Sequence, residues 1–185
     1  MRKSWLILAI SMILIGMAWS KNVLFSDSKP LREASGTVTL PTETGPRVGM
    51  LAPAFSLTSL TGETFEVGGK RDKPVFINFW ASWCNPCRAE APDLVKLYAK
   101  YQNELDMYAI NVTAHDTKEK AGAFVKEYNL INPVLWDEKG DVFKSYNGIA
   151  FPTNIIIDRN GVVSEVIVGL RPAKDLEKSI RKVIK

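Results

Sequence analysis

Trp83-Cys84-Asn85-Pro86-Cys87 holds both cysteines of this 185-residue chain, three positions apart. The apolar run Pro74-Val75-Phe76-Ile77-Asn78-Phe79-Trp80 precedes it, and Arg88 to Tyr101 reads as helix behind it. A strand, a tight turn and a Cys-x-x-Cys pair opening a helix form the arrangement that makes a reactive dithiol. Residues i and i+3 of a helix lie about 5–6 Å apart, close to the Cα separation a disulfide needs. The pair can therefore open and close with little backbone movement. Cys84 is expected at the helix N-cap, with Cys87 one turn in. The first N–H groups of a helix lack internal partners, and the macrodipole is positive there. Both favour a thiolate, so Cys84 is expected to be the exposed nucleophile with a lowered pKa, and Cys87 the shielded resolving thiol. Pro86 suits the first turn because the N–H it lacks had no partner.

Other uses of the pair fit less well. A structural disulfide of this spacing closes a very small loop, so it removes little chain entropy. A zinc site needs four ligands, and only His115 remains as a further soft ligand. No metal and no cofactor is expected. His115 itself, between Ala114 and Asp116, reads as a surface residue of a polar loop.

The N-terminus carries a second signal. Trp5 to Trp19 is an uncharged apolar run, flanked by Arg2 and Lys3 on one side and Lys21 on the other. From Ser4 to Ser20 it counts 17 residues, at the short end for a spanning helix. The flanking charges orient the remainder outside the cytoplasm, and the terminal tryptophans suit the interface of a retained signal-anchor. A cleaved signal peptide is the rival, since Ala18-Trp19-Ser20 loosely fits a small-x-small site. Residues 1–21 are thus read as a transmembrane anchor, 22–45 as a polar extracytoplasmic linker and 46–185 as one domain. Removing Arg2 and Lys3 leaves 22 of the 24 basic residues against 20 acidic ones. That balance gives nucleic-acid binding no support.

Within the domain, Phe55 to Leu57 and Thr64 to Val67 flank Thr61-Gly62-Glu63 and read as a hairpin. Val75 to Phe79 is a buried strand, Cys84 to Tyr101 a helix with a kink expected at Pro92. Asp106 to Val112 is a second strand and Lys118 to Tyr128 a second helix. Asn154–Ile157 and Val162–Val168 are strands joined by a turn at Asp158 to Gly161, and Pro172 opens a last helix. Strands alternating with helices and then a hairpin give an α/β sandwich with a mixed sheet. Trp80 is expected in the core.

Four segments carry a family resemblance: Gly49-Met50-Leu51-Ala52-Pro53-Ala54-Phe55-Ser56-Leu57, Asn78 to Cys87, Glu90-Ala91-Pro92 and Phe151-Pro152-Thr153. Together they resemble the thioredoxin superfamily, and within it the membrane-tethered extracytoplasmic TlpA/ResA/CcmG group of thiol-disulfide oxidoreductases, nearest in pattern to ResA. The resemblance implies a thioredoxin-like fold with an N-terminal β-hairpin extension behind one transmembrane helix. It also implies a cis Phe151–Pro152 bond beside the dithiol, with residue 151 offering its backbone to a client in strand-like fashion. Trp83, Phe151 and Pro152 are then the client-binding residues.

Glu90 stands three residues after Cys87 on the adjoining helix face, without a basic neighbour one turn away. It is expected to be partly buried and to carry protons for the cysteines. Where cytosolic thioredoxins hold a buried acid before the motif, this chain has Asn78, which cannot take that proton.

The implied activity is reduction of disulfides in extracytoplasmic client proteins, apocytochrome c among them. Cys84 and Cys87 are the catalytic, redox-active pair, and Glu90 is the third catalytic residue. A membrane thiol donor of the CcdA or DsbD type is the implied partner of a monomeric, membrane-anchored enzyme. Two alternatives share this fold. A peroxiredoxin needs Thr or Ser three residues before its cysteine, where Ala81 stands. A copper-delivery protein of this kind uses Cys-x-x-x-Cys.

Overall fold

A computed structural model of the chain describes residues 41–185, so the expected membrane anchor and all but the last residues of the linker lie outside the described residues. Among the described residues no helix is long and apolar enough to cross a membrane. Residues 43–45, assigned to the linker from sequence, are hydrogen-bonded to Leu51 through Gly45 N–H to the Leu51 carbonyl and Leu51 N–H to the Glu43 carbonyl.

A hairpin of β1 (Phe55–Thr58) and β2 (Thr64–Val67) opens the domain. There follow β3 (Val75–Trp80), α1 (Asn85–Tyr101), β4 (Asp106–Asn111), α2 (Lys118–Tyr128) and β5 (Val134–Trp136). The chain ends with α3 (Asp141–Ser145), β6 (Thr153–Ile157), β7 (Val163–Val168) and α4 (Ala173–Val183). The central sheet runs β5-β4-β3-β6-β7. β3 pairs parallel with β4 and antiparallel with β6, so the sheet is mixed and the expected architecture holds. β5 and α3 went unread in the sequence. β5 has three residues, all buried, and shows no alternation to read. α3 is one turn long, held by Asp137, whose carboxylate accepts the N–H of Phe143 at 2.8 Å and of Val142 at 3.4 Å.

β3 is buried along its whole length and divides the core by its period of two. Val75, Ile77 and Phe79 face the layer containing Tyr108, Leu135, Phe143, Tyr146 and Ile155. Phe76 packs with Leu94, Leu97, Leu176 and Ile180 of α1 and α4. Trp80 stacks on Phe124 of α2, with ring centres 4.4 Å apart. Asn78, between Phe76 and Trp80, therefore points into the layer that α1 covers.

The β6–β7 turn is fixed locally. Asp158 Oδ1 accepts the N–H groups of Asn160 and Val162, and Gly161 has φ +79°. A Cβ at position 161 falls 2.5 Å from the backbone oxygen of Gly69. Neither the left-handed backbone nor the contact suits a side chain. Gly161→Ala is expected to cost about 2–3 kcal/mol, read as a lower urea midpoint with an unchanged m value. A midpoint equal to the parent's contradicts this.

Candidate active site

β3 ends at Trp80, and four residues later the chain enters α1. Cys84 is the N-cap, in extended conformation with φ −79° and ψ 108°, as the sequence implies. Its Sγ accepts the N–H of Cys87 at 3.1 Å. The two cysteines form a disulfide with Cα atoms 5.3 Å apart. Pro86 occupies the first turn, and that turn holds no carboxylate to compete with a thiolate at the positive helix end. α1 continues through Pro92 to Tyr101.

Cys84 is not exposed in the disulfide form: each cysteine is 4% accessible. The disulfide folds Cys84 back against Cys87 and Trp80 in one apolar cluster. What separates the two is the space each one borders. Cys84 lines an open groove of about 650 Å³ with Trp83, Asn85, Pro86, Ile149 and Phe151. Cys87 borders a small space on the inner side, with Asn78, Trp80, Ala91 and Phe124.

The groove wall is aromatic. Trp83 is 58% exposed, and its Nε1 donates to the His115 carbonyl at 2.7 Å. Its ring meets Phe151 edge-on at 5.7 Å, and Phe151 lies 4.8 Å from Phe143 beneath it. His115 is a surface residue, as expected, and holds Trp83 through its backbone. The Phe151–Pro152 bond is cis. Pro152, however, is buried and does not line the groove; its carbonyl accepts the Gly169 N–H at 2.7 Å. Trp83 and Phe151 thus share the groove with Cys84, while Pro152 lies buried outside its lining. Ile149, 85% exposed at the groove's edge, was missed because nothing local distinguishes it from a buried isoleucine.

Glu90 is more enclosed than expected, at 1% accessible. Asn154 Nδ2 donates to its Oε1 at 3.0 Å and Oε2 at 3.2 Å, and Asn78 Nδ2 donates to Oε2 at 3.2 Å. Asn78 also donates to Asn154 Oδ1 at 2.8 Å, which closes a buried triangle across β3, β6 and α1. Burial pushes the Glu90 carboxyl up to about 7, against the opposing hydrogen bonds from Asn154 and the Arg171 backbone. Asn154 carries no sequence signal, because it reaches Glu90 only through the pairing of β6 with β3.

Residues 47–184 match the Redoxin family. The chain belongs to that family. The redoxin is 39% identical over 139 residues to the thioredoxin-like protein YneN of Bacillus subtilis, covering 75% of this chain and 81% of that one. It is 38% identical over 136 residues to the thiol-disulfide oxidoreductase ResA of Bacillus thuringiensis, covering 74% and 78%. A solved structure of a putative thiol:disulfide interchange protein DsbE from Chlorobium tepidum superposes with TM-score 0.66 at 34% identity, covering 72% of this chain and 95% of that one. The redoxin is accordingly a redox enzyme, a thiol-disulfide oxidoreductase.

Glu90 makes this redoxin's stability depend on pH. Folded, the carboxyl keeps its proton to about pH 7, against an ordinary value of 4.5. The stability it contributes is full below pH 4.5 and is lost as pH rises through 7, a fall of about 3 kcal/mol. Glu90→Gln removes that slope. Urea unfolding from pH 4.5 to 8.5 is expected to show the variant gaining on the parent by that amount. Parallel profiles contradict the assignment.

Proposed function

We propose that this redoxin reduces disulfides of client proteins on the extracytoplasmic side of a membrane, to which residues 1–21 anchor it. The observation that carries the reading is the asymmetry of the dithiol: Cys84 borders the groove and Cys87 the interior. In the reduced enzyme the Cys84 thiolate attacks one sulfur of a client disulfide. A mixed disulfide forms, and the client's other sulfur leaves as a thiolate and takes a proton. Cys87 then gives its proton to the Glu90 carboxylate and attacks the Cys84 sulfur. The client's second sulfur leaves as a thiolate and takes a proton, two electrons have passed to the client, and the enzyme holds its disulfide. Glu90 suits that role because a carboxyl near 7 both accepts and releases a proton at neutral pH.

Client binding falls to Trp83 and Phe151, which flank Cys84 with apolar surface and fit an extended uncharged segment. Apocytochrome c awaiting haem attachment is the client class we favour, since the ResA-like pattern points there. A membrane thiol donor of the CcdA or DsbD type returns the pair to the dithiol, and the domain works as a monomer.

Direction follows from the reduction potential of the Cys84–Cys87 pair. Equilibration of the domain against dithiothreitol or glutathione buffers is expected to give about −250 mV or lower, in the thioredoxin range. A value near about −120 mV, typical of a strong oxidant, reverses the direction and makes the protein a disulfide donor.

A further inference from the structure

Ser82 stands two residues before Cys84, is 3% accessible, and is gripped from two sides by charged groups. Its N–H donates to Asp116 Oδ2 at 2.6 Å and its hydroxyl to Asp116 Oδ1 at 2.7 Å. Its carbonyl accepts Arg88 Nε at 3.1 Å. Asp116 is itself fixed. Asn111 Nδ2 at the end of β4 donates to it at 2.9 Å, and so does the N–H of Thr117, the N-cap of α2, also at 2.9 Å. Arg88 is paired with Glu127 at 3.3 Å, and its guanidinium lies 5.8 Å from the Phe124 ring centre. The neighbour of Asp116, His115, holds the Trp83 indole. One two-residue segment thus fixes Ser82 and Trp83, which lead the chain into Cys84.

The consequence lies in the reduced enzyme. While the disulfide is closed, the covalent bond adds to the Cys87 N–H contact in keeping Cys84 Sγ at the helix end. Once it opens, Sγ is free to rotate, and the first turn of a helix is where fraying begins. Something other than the sulfur–sulfur bond must then hold the turn. Unlike Glu90, Asp116 is held below the ordinary carboxylate range by its four hydrogen bonds and is poorly placed to act as a base.

We propose that Asp116 is a positioning residue: by clamping Ser82 against the pull of Arg88, it keeps the Cys84 sulfur at the mouth of α1 after the disulfide has opened. The clamp thereby favours the thiolate and the reduced state. This rests on Cys84 being the attacking thiol. Burial raises the Asp116 carboxyl, but the hydrogen bonds from Ser82, Asn111 and Thr117 outweigh it and hold the group below the ordinary range, so the clamp is charged at working pH.

The test compares Asp116→Ala, Asp116→Asn and Ser82→Ala with the parent. Thiolate absorbance of the reduced protein is followed against pH, and the reduction potential is measured. Asp116→Ala is expected to raise the Cys84 titration so that about tenfold less thiolate is present at neutral pH. The potential moves in the negative direction, by about 30 mV if the equilibrium changes tenfold. Asp116→Asn keeps one carbonyl oxygen, which can accept the Ser82 N–H but not the Thr117 N–H on the other side as well, and is expected to restore part of the loss. Ser82→Ala removes only the hydroxyl contact and gives a smaller shift of the same sign, which serves if Asp116→Ala does not fold. A lower melting temperature with an unmoved Cys84 titration overturns the proposal, since the role is then structural alone. A lowered Cys84 titration in both Asp116 variants also overturns it, because the carboxylate then acts by its charge. If the parent's Cys84 titrates at an ordinary value, the attacking-thiol reading fails as well.

Discussion

The backbone N–H of Cys87, donated to Cys84 Sγ at 3.1 Å, is the contact on which the rest of the site depends. It exists because Cys84 is an N-cap, and an N-cap side chain is what the unpaired amides of a first helical turn seek. A thiolate there gains both the hydrogen bond and the positive end of α1. Everything else in the domain keeps that turn in place. β3 is buried on both faces and cannot shift. The segment at 115–116 holds the residues between β3 and Cys84.

Beneath the turn lies an acid that the fold deliberately encloses with polar neighbours. A buried carboxylate without partners is strongly disfavoured. Asn78 and Asn154 lower that cost without adding a countercharge, which leaves Glu90 near neutrality and not firmly ionised. An arginine or lysine in place of either asparagine would hold the acid charged and remove its use as a proton carrier. Where a thioredoxin-like pattern places the acid on the central strand, this chain carries the amide there and the acid on α1.

Much of this was legible because the informative residues are close in sequence. The Cys-x-x-Cys pair, Pro86 and the strand before them state a helix N-terminus in a few positions. Lys118–Tyr128 and Asn85–Tyr101 show their apolar stripes plainly. What stayed hidden depends on pairing between distant segments. Asn154 meets Glu90 only through the register Asn78↔Asn154, and Asp116 meets Ser82 only because β4 runs beside β3. β5 and α3 were too short for a period to appear. The exposure of Cys84 was misjudged for a similar reason. A reactive sulfur needs access to a partner, but the closed disulfide tucks it against Trp80, and only the groove shows which side the partner approaches from.

The central claim is that Cys84 attacks and Cys87 resolves, and trapping tests it most directly. A reduced Cys87→Ser enzyme is incubated with a disulfide-bearing client peptide, alongside a reduced Cys84→Ser enzyme, and the covalent adducts are counted by mass. The account predicts a stable mixed disulfide through Cys84 in the first and little or none in the second. Equal trapping by both, or trapping through Cys87 alone, contradicts it.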